Sequence, residues 1–444
     1  MSATTSKLNY AAVPPRATSS RSLRNEVVPS NGSSFNCGNS IIFDLPSNVP
    51  NTFFDTHSSY VSMLVSNTDG HYVKFSGNGF PAAIRRLTIE LGGQTIMSLD
   101  HYGELYSAMM DLDASSEFKI NAGSVLFGSN NNLTGEVGGA PLVANTGSRR
   151  VCFPLFLTPL MANKYFPSPM SRDRMRIRLE MDTAVRGFVA ENTGVLNTDI
   201  TFSDVKFVQY SLELGSEIMA QVAAAAGGSF KVACPCYQHH QSSMAAGASS
   251  ISPTLGFSMS SLNRVLILQQ LQADTATAET IGNRLKEPIE RVSISVGGVK
   301  YPQLDMKIST DGSEALAEAL VSQRALTSVS TTSSINAGGV AAANDKSSPG
   351  SYAGLVGGTG NNGATGATAA LTGKFLIDLD LESQRAGAAP ESQLVAGVNT
   401  IGSVVQAKLD YSAGTSAATV INFYGEFTLL LMLDLNTLTF SVAV

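Results

Sequence analysis

The residues with the widest chemical reach lie in one short run, Cys234-Pro235-Cys236-Tyr237-Gln238-His239-His240. Thiolate and imidazole together suit zinc. Ligands this close in sequence cannot readily wrap one ion. On a strand, Cys234 and Cys236 share a face while His239 and His240 point apart. The run therefore reads as strand or turn residues, and no metal is assigned. Gly358-Thr359-Gly360-Asn361-Asn362-Gly363 matches the glycine pattern that cradles dinucleotide phosphates. It lies in low-complexity sequence, without the strand before it and the helix after it that the fingerprint needs. No P-loop, H-E-x-x-H or G-x-S-x-G pattern occurs, and His57, His71 and His101 are isolated. Asp378, Asp380 and Glu382 form a row of carboxylates on an alternating strand. Such a row could serve glycoside hydrolysis or bind calcium, but a solvated or subunit-facing strand surface accounts for it with less. Arg174, Arg176 and Arg178 form a row of opposite sign, which suggests pairing between the two rows across a subunit boundary. No catalytic residue and no cofactor is assigned. The candidate contacts are for assembly: Lys7, Arg16, Arg21, Arg24, Arg174, Arg176, Arg178, Asp378, Asp380 and Glu382.

Composition sets the frame for these residues. The chain has 444 residues, 43% hydrophobic and only 14% charged, with 40 Gly and no Trp. About a quarter charged is usual for a soluble domain. A deficit of charge with abundant Ser, Thr, Asn and Gly suggests a protein that buries much of its outside against copies of itself. The apolar content excludes global disorder. The longest unbroken apolar run, Leu429 to Leu433, is far short of a spanning helix. Met1 to Lys7 lack the apolar core of a secretory signal. The net charge of -6 argues against bulk nucleic-acid binding. The first 30 residues differ, with Lys7, Arg16, Arg21 and Arg24 against the single acid Glu26. They read as a flexible basic arm. Four cysteines, Cys37, Cys152, Cys234 and Cys236, fit a reducing compartment rather than a disulfide scaffold.

The dominant pattern has period two. Met175, Ile177, Leu179 and Met181 alternate with charged residues, and Phe375, Ile377, Leu379 and Leu381 do nearly the same. Further strands are expected at 40–45, 60–66, 84–91, 151–157, 205–214, 264–269, 289–296, 404–410 and 421–433. Leu429 to Leu433 would be buried on both faces. Helices are few: one capped by Ser98 and running to Leu112, one after Ser216 that stops at Gly227-Gly228, and one after Ser313. Ile84-Arg85-Arg86-Leu87-Thr88-Ile89-Glu90-Leu91-Gly92-Gly93 recurs as Ile289-Glu290-Arg291-Val292-Ser293-Ile294-Ser295-Val296-Gly297-Gly298. Each copy is followed by a helix signal, a loop and more strands, as a duplication requires. The expected fold is all-β: two tandem eight-stranded jelly-roll sandwiches with few short helices. The expected divisions are a flexible arm at 1–35, jelly roll 1 at 36–214, a linker helix at 215–228 and jelly roll 2 at 229–444. A Gly-, Ser- and Ala-rich loop at 328–372, exposed at one end of jelly roll 2, carries only Asp345 and Lys346 as charges.

Three stretches resemble the double jelly-roll major capsid proteins of adenoviruses, tectiviruses, virophages, Polinton-like viruses and nucleocytoplasmic large DNA viruses. They are Leu64–Gly70 with Ile84–Gly93; the Tyr-Gly-x-Leu run inside Leu99–Tyr106; and Phe153–Phe156, Lys164–Pro167 and Arg174–Met181. Only the first copy carries this likeness. The resemblance implies a non-enzymatic structural protein of the virion. It would form a homotrimer whose six jelly rolls make a pseudo-hexagonal capsomer of an icosahedral shell enclosing the genome. It would be made in the host-cell interior. Its partners would be itself, neighbouring capsomers, penton and minor capsid proteins, and an inner membrane or the genome through the arm, with no small-molecule substrate. The 328–372 loop would form a tower. One alternative is a secreted tandem β-sandwich that binds or hydrolyses carbohydrate, disfavoured by the lack of Trp and of a signal sequence. The other is a single jelly-roll capsid protein with a projecting domain, disfavoured by the repeat.

Overall fold

The computed structural model describes residues 20–68, 73–129, 147–161, 164–190, 196–272, 281–308, 312–323, 325–326, 333–335, 373–382, 397–415 and 418–443. The strands up to the midpoint are β1 (Ser20–Val27), β2 (Ser34–Asn36), β3 (Ser40–Asp44), β4 (Thr52–Asn67), β5 (Val73–Phe75), β6 (Ile84–Leu91), β7 (Gln94–Asp100), β8 (Ser148–Phe153), β9 (Met175–Met181), β10 (Phe188–Ala190) and β11 (Ile200–Leu214). Between them lie α1 (Tyr102–Asp113), α2 (Ser116–Ile120), α3 (Ala122–Phe127) and α4 (Ala184–Gly187), and α5 (Ser216–Ala225) follows. The second half contains β12 (Ser229–Met244), β13 (Ser250–Ile251), β14 (Thr254–Leu255), β15 (Leu262–Leu271), β16 (Ile289–Val296), β17 (Val299–Lys307), α6 (Ser313–Ser322), β18 (Ile377–Asp380), β19 (Val405–Tyr411), β20 (Thr419–Asp434) and β21 (Phe440–Ala443).

The strand order is that of a jelly roll, twice. In the first half, β1-β11-β4-β8 forms one sheet and β3-β9-β6-β7 the other. In the second half, β12-β20-β15-β18 answers the first of these. β19-β16-β17, with β13 and β14 paired on β19, answers the second. Every named pairing is antiparallel and stays within its half. The apolar faces meet between the sheets. Ile41, Phe43, Val61, Met63, Leu87, Ile89, Ile177 and Leu179 are buried in the first sandwich, and Val265, Ile267, Val292, Ile294, Leu409 and Phe423 in the second. Removing one such side chain, as in Leu87→Ala, costs about 2–5 kcal/mol.

The repeat read from sequence is one structural unit used twice. β6 and β16 each carry a bulge at their start, between Ile84 and Arg86 and between Ile289 and Arg291. The bulge lets Ile84 and Leu87, three residues apart, both face inward. Each strand ends in a two-glycine hairpin. Gly92 and Gly93 have φ of 60° and 82°, and Gly297 and Gly298 have 58° and 85°. A mirror-type turn needs positive φ at both positions, which is why both residues are Gly.

Four expectations change. Ser20–Val27, assigned to the flexible arm, is an edge strand paired along its whole length with β11. Only Leu23 and Val27 of it are half-buried, so its polar pattern conceals it. The first sandwich thus begins before residue 36, while residues 1–19 lie outside the described residues. The helix expected from Ser98 starts at Tyr102, because Gln94–Asp100 is the return strand of the Gly92-Gly93 hairpin and Leu99 pairs with Leu87. Leu429–Leu433 is not buried on both faces. Leu429, Leu431 and Leu433 point into the core while Leu430 and Met432 are half-exposed. Asp378 does not lie on a solvated face; it is fully buried, because α6 packs over β18. The linker helix is found as α5, and most of the 328–372 loop lies outside the described residues.

Candidate functional site

The most heavily charged buried region is the seam between the two halves, built around α1. Gly103 lets this helix touch the first sandwich closely. A Cβ there would sit 2.1 Å from the Ala82 carbonyl oxygen, so only glycine fits and the Tyr-Gly pair has a packing cause. Every residue from Tyr102 to Leu112 is buried. Near the C-terminal end of α1, Asp111 accepts from Lys119 Nζ at 2.5 Å and from Arg284 Nη2 at 2.5 Å, with Lys374 Nζ at 3.3 Å. Lys119 belongs to the first half, Arg284 and Lys374 to the second. Arg284 is 0% exposed. Burial opposes the Asp111 carboxylate, but the three cations outweigh it and hold its pKa well below the ordinary range. Burial pushes Lys119 down to about 8.

At the N-terminal end of α1, His101 adopts a left-handed conformation, φ 52°. Its ring lies 4.8 Å from that of His239 on β12, and Tyr424 Oη donates to the His101 carbonyl at 2.9 Å. Glu104 accepts from His101 at 3.0 Å and also pairs with Arg186. Burial opposes the Glu104 carboxylate, yet His101 and Arg186 bring it to about 2. Burial likewise disfavours the His101 cation, but the hydrogen bond and charge of Glu104 outweigh it and raise its pKa. His239 has no carboxylate partner and instead meets Asn422 Oδ1 at 3.0 Å. Burial lowers it to about 4.

The outward face of the β12-β20-β15-β18 sheet carries a second buried network. Arg264 pairs with Asp378 at 3.2 Å and with Glu426, and Tyr237 Oη donates to Glu426 at 2.9 Å. A small apolar cluster of Phe53, Met170 and Leu433, flanked by Met219 and Val222 of α5, closes the seam at its far end. There Phe440 stacks on Phe166 at 5.8 Å and the Arg172 amide donates to the Leu438 carbonyl at 2.9 Å.

The expected assembly residues are scattered. Lys7 and Arg16 lie outside the described residues. Arg21 pairs with Glu213 at 2.6 Å and Arg24 with Glu26 at 2.8 Å. Arg174 is exposed. Arg176 meets Asp44 at 2.8 Å, and Arg178 meets Glu180 at 3.9 Å. Asp380 is half-buried and accepts from the Glu382 amide at 2.9 Å. The two opposite-sign rows do not pair with each other in the chain. Arg176 and Arg178 find carboxylates on their own sheet, and Asp378 is taken by Arg264 and Ser322. Cys234 and Cys236 face the core, and burial pushes the Cys234 thiol up to about 12. Among the described residues no His, Cys, Asp and Glu group could hold a metal ion. The seam residues Asp111, Lys119, Arg284 and Lys374 carry no local sequence signal, since they come together from distant parts of the chain.

No protein-family model matches the chain. No curated protein matches it either. Solved structures do match, nearly end to end. VP54 of PBCV-1, the structure fitted into a reconstruction of the virophage Sputnik, aligns with a TM-score of 0.61 at 12% identity, over 98% of this chain and 99% of that one. The Faustovirus major capsid protein aligns at 0.58 and 8% identity, over 94% and 91%. The mavirus major capsid protein aligns at 0.54 and 10%, over 99% and 93%. Together with the two complete strand orders, this likeness establishes that the chain has the double jelly-roll fold of these viral capsid proteins.

Proposed function

We propose that this chain is a viral major capsid protein, a structural subunit without catalytic activity that associates with copies of itself into a shell. The observation that carries the reading is the pair of complete jelly rolls, locked side by side through a charged seam, matching solved capsid proteins over almost their entire length. The low charge content supports it, because surface destined for burial between subunits loses charge. The finer reading is a homotrimer whose six jelly rolls form a pseudo-hexagonal block in an icosahedral virion. Residues 1–19 would reach neighbouring capsomers, minor proteins, the genome or an inner membrane, and 328–372 would form a tower. The arm, the two jelly-roll domains and the α5 linker would be its working parts.

Negative-stain microscopy with solution mass on the same sample tests this. Trimers of hexagonal outline, or closed shells, are expected. Monomers at every concentration overturn the reading.

A further inference from the structure

The two halves meet through side chains and share no strand ladder, so the seam can open while both sandwiches keep their pairings. The two ends of α1 hold the second half by different chemistry. At the C-terminal end, Asp111 binds Arg284 and Lys374, and its carbonyl accepts from the Ser334 amide at 2.9 Å. Those groups keep their charge in mild acid, because the Asp111 carboxyl is held well below the ordinary range. At the N-terminal end, roughly 15 Å away along the helix, the contact is a stack of three rings. His101 lies 4.8 Å from His239, and His239 lies 4.9 Å from Tyr424. His239 and Tyr424 are register partners on β12 and β20. Both histidines are half-buried.

The charged and titratable groups around His239 come from four elements and the residue before α1. From β20 come Tyr424 and the neutral amide of Asn422. β7 supplies Asp100, which Arg86 holds at 3.2 Å. α1 supplies Glu104, which is shared between His101 and Arg186 of α4. On β12 itself, alternation turns His240 to the other face, beside Phe423. The carboxylates nearest to His239 thus already serve other cations. A proton on His239 would set a second imidazolium 4.8 Å from that of His101, and like charges at this range repel.

We infer that the His101–His239 contact is an acid-operated latch: a proton on His239 releases the N-terminal end of α1 from the β12-β20 sheet, while the Asp111 end stays paired and each jelly roll stays folded. In the open form His239 regains its ordinary value near 6.5, against about 4 when the seam is closed. The open form therefore binds one more proton between those two values, and falling pH favours opening. His101 is charged in both forms below about 6.5. It supplies the repulsion, and His239 supplies the pH dependence.

Amide hydrogen exchange on the full chain between about pH 6.5 and about pH 4.5 tests this, once corrected for the intrinsic pH dependence of exchange. Protection of Tyr102–Met109 should fall about tenfold per pH unit, the slope of one proton taken up. Protection of β9 and β16 should not change. His239→Gln and His239→Asn keep an amide beside Asn422 but cannot take the proton, so the same segment should show no slope in either. His240→Gln, on the other face of the strand, should keep the wild-type slope. A wild-type segment whose protection ignores pH overturns the latch. An equal slope in both His239 variants overturns it too, and so does a parallel loss in β9 and β16, which is unfolding of the whole chain. None of these outcomes bears on the capsid reading, which self-association tests separately.

Discussion

α1 and α6 occupy the same place in two copies of one fold, yet their surroundings differ. α1 follows β7, is buried from Tyr102 to Leu112, and has Gly103 against the Ala82 carbonyl oxygen. α6 follows β17, buries two alanines and presents Glu314 and Glu318 outward. The sandwiches beneath them share strand order, bulge and hairpin. What differs is what lies on top: the second half covers α1, whereas among the described residues nothing covers the outer face of α6. A duplicated unit therefore need not keep duplicated surfaces. The α1 copy holds buried ion pairs, while α6 keeps Glu314 and Glu318 exposed among the described residues.

The largest effect should come from the covered side. Asp111→Leu leaves Lys119, Arg284 and Lys374 without their carboxylate. Stranding buried charge costs about 3–5 kcal/mol, so the urea midpoint should fall sharply. Glu314→Ala, on the open side, should leave the same midpoint within about 0.5 kcal/mol.

Acid should act on the seam next. His239 titrates near 6.5 in the unfolded chain and at about 4 when folded. The unfolded state then binds more protons in that window, so stability falls as pH drops from about 6.5 to about 4. His101 has the opposite sign: its contribution is full below about 6.5 and is lost as pH rises through its raised value. His239→Asn should flatten the acid limb of urea midpoints taken between pH 7 and pH 4. An unchanged limb would mean that another group sets it.

The twin hairpins give a smaller contrast. An alanine at Gly92 or Gly297 must take positive φ, at about 1–2 kcal/mol. At Gly92 its Cβ would also come within 2.9 Å of the Asp173 side chain, against 3.4 Å from Ser403 at Gly297. Gly92→Ala should therefore lower the thermal midpoint more than Gly297→Ala. The smallest effect should be that of Arg21→Ala, whose pair with Glu213 is solvent-exposed. A change under about 1 kcal/mol is expected in denaturant titrations.

Much of the fold was legible because alternation and glycine pairs report local geometry. The bounds of β6 and β16 coincide with the repeat, and β9 follows the alternation of Met175 to Met181. What escaped depended on distant partners. β1 is nearly all polar and is a strand only because β11 offers it an edge. Leu99 and Tyr102 sit at helical spacing, but the hairpin at Gly92-Gly93 assigns Leu99 to β7. Asp378 alternates like a surface residue, and only packing by α6 and Arg264 buries it. The run holding His239 reads as strand or turn residues with no metal assigned, and the partners of His239 are distant in the chain: Asn422 by hydrogen bond and the His101 ring by contact.

The seam also bears on how the chain is made. A ribosome adds about 5–20 residues per second, and domains tend to fold as they emerge. The first sandwich is complete once β11 has been synthesised, but α1 then lacks its cover. Among the described residues, Asp111 has Lys119 as its only cation until Arg284 and later Lys374 appear. During that interval α1 lacks the cover that the second half supplies, and Asp111 gains Arg284 and Lys374 only as those later segments are made.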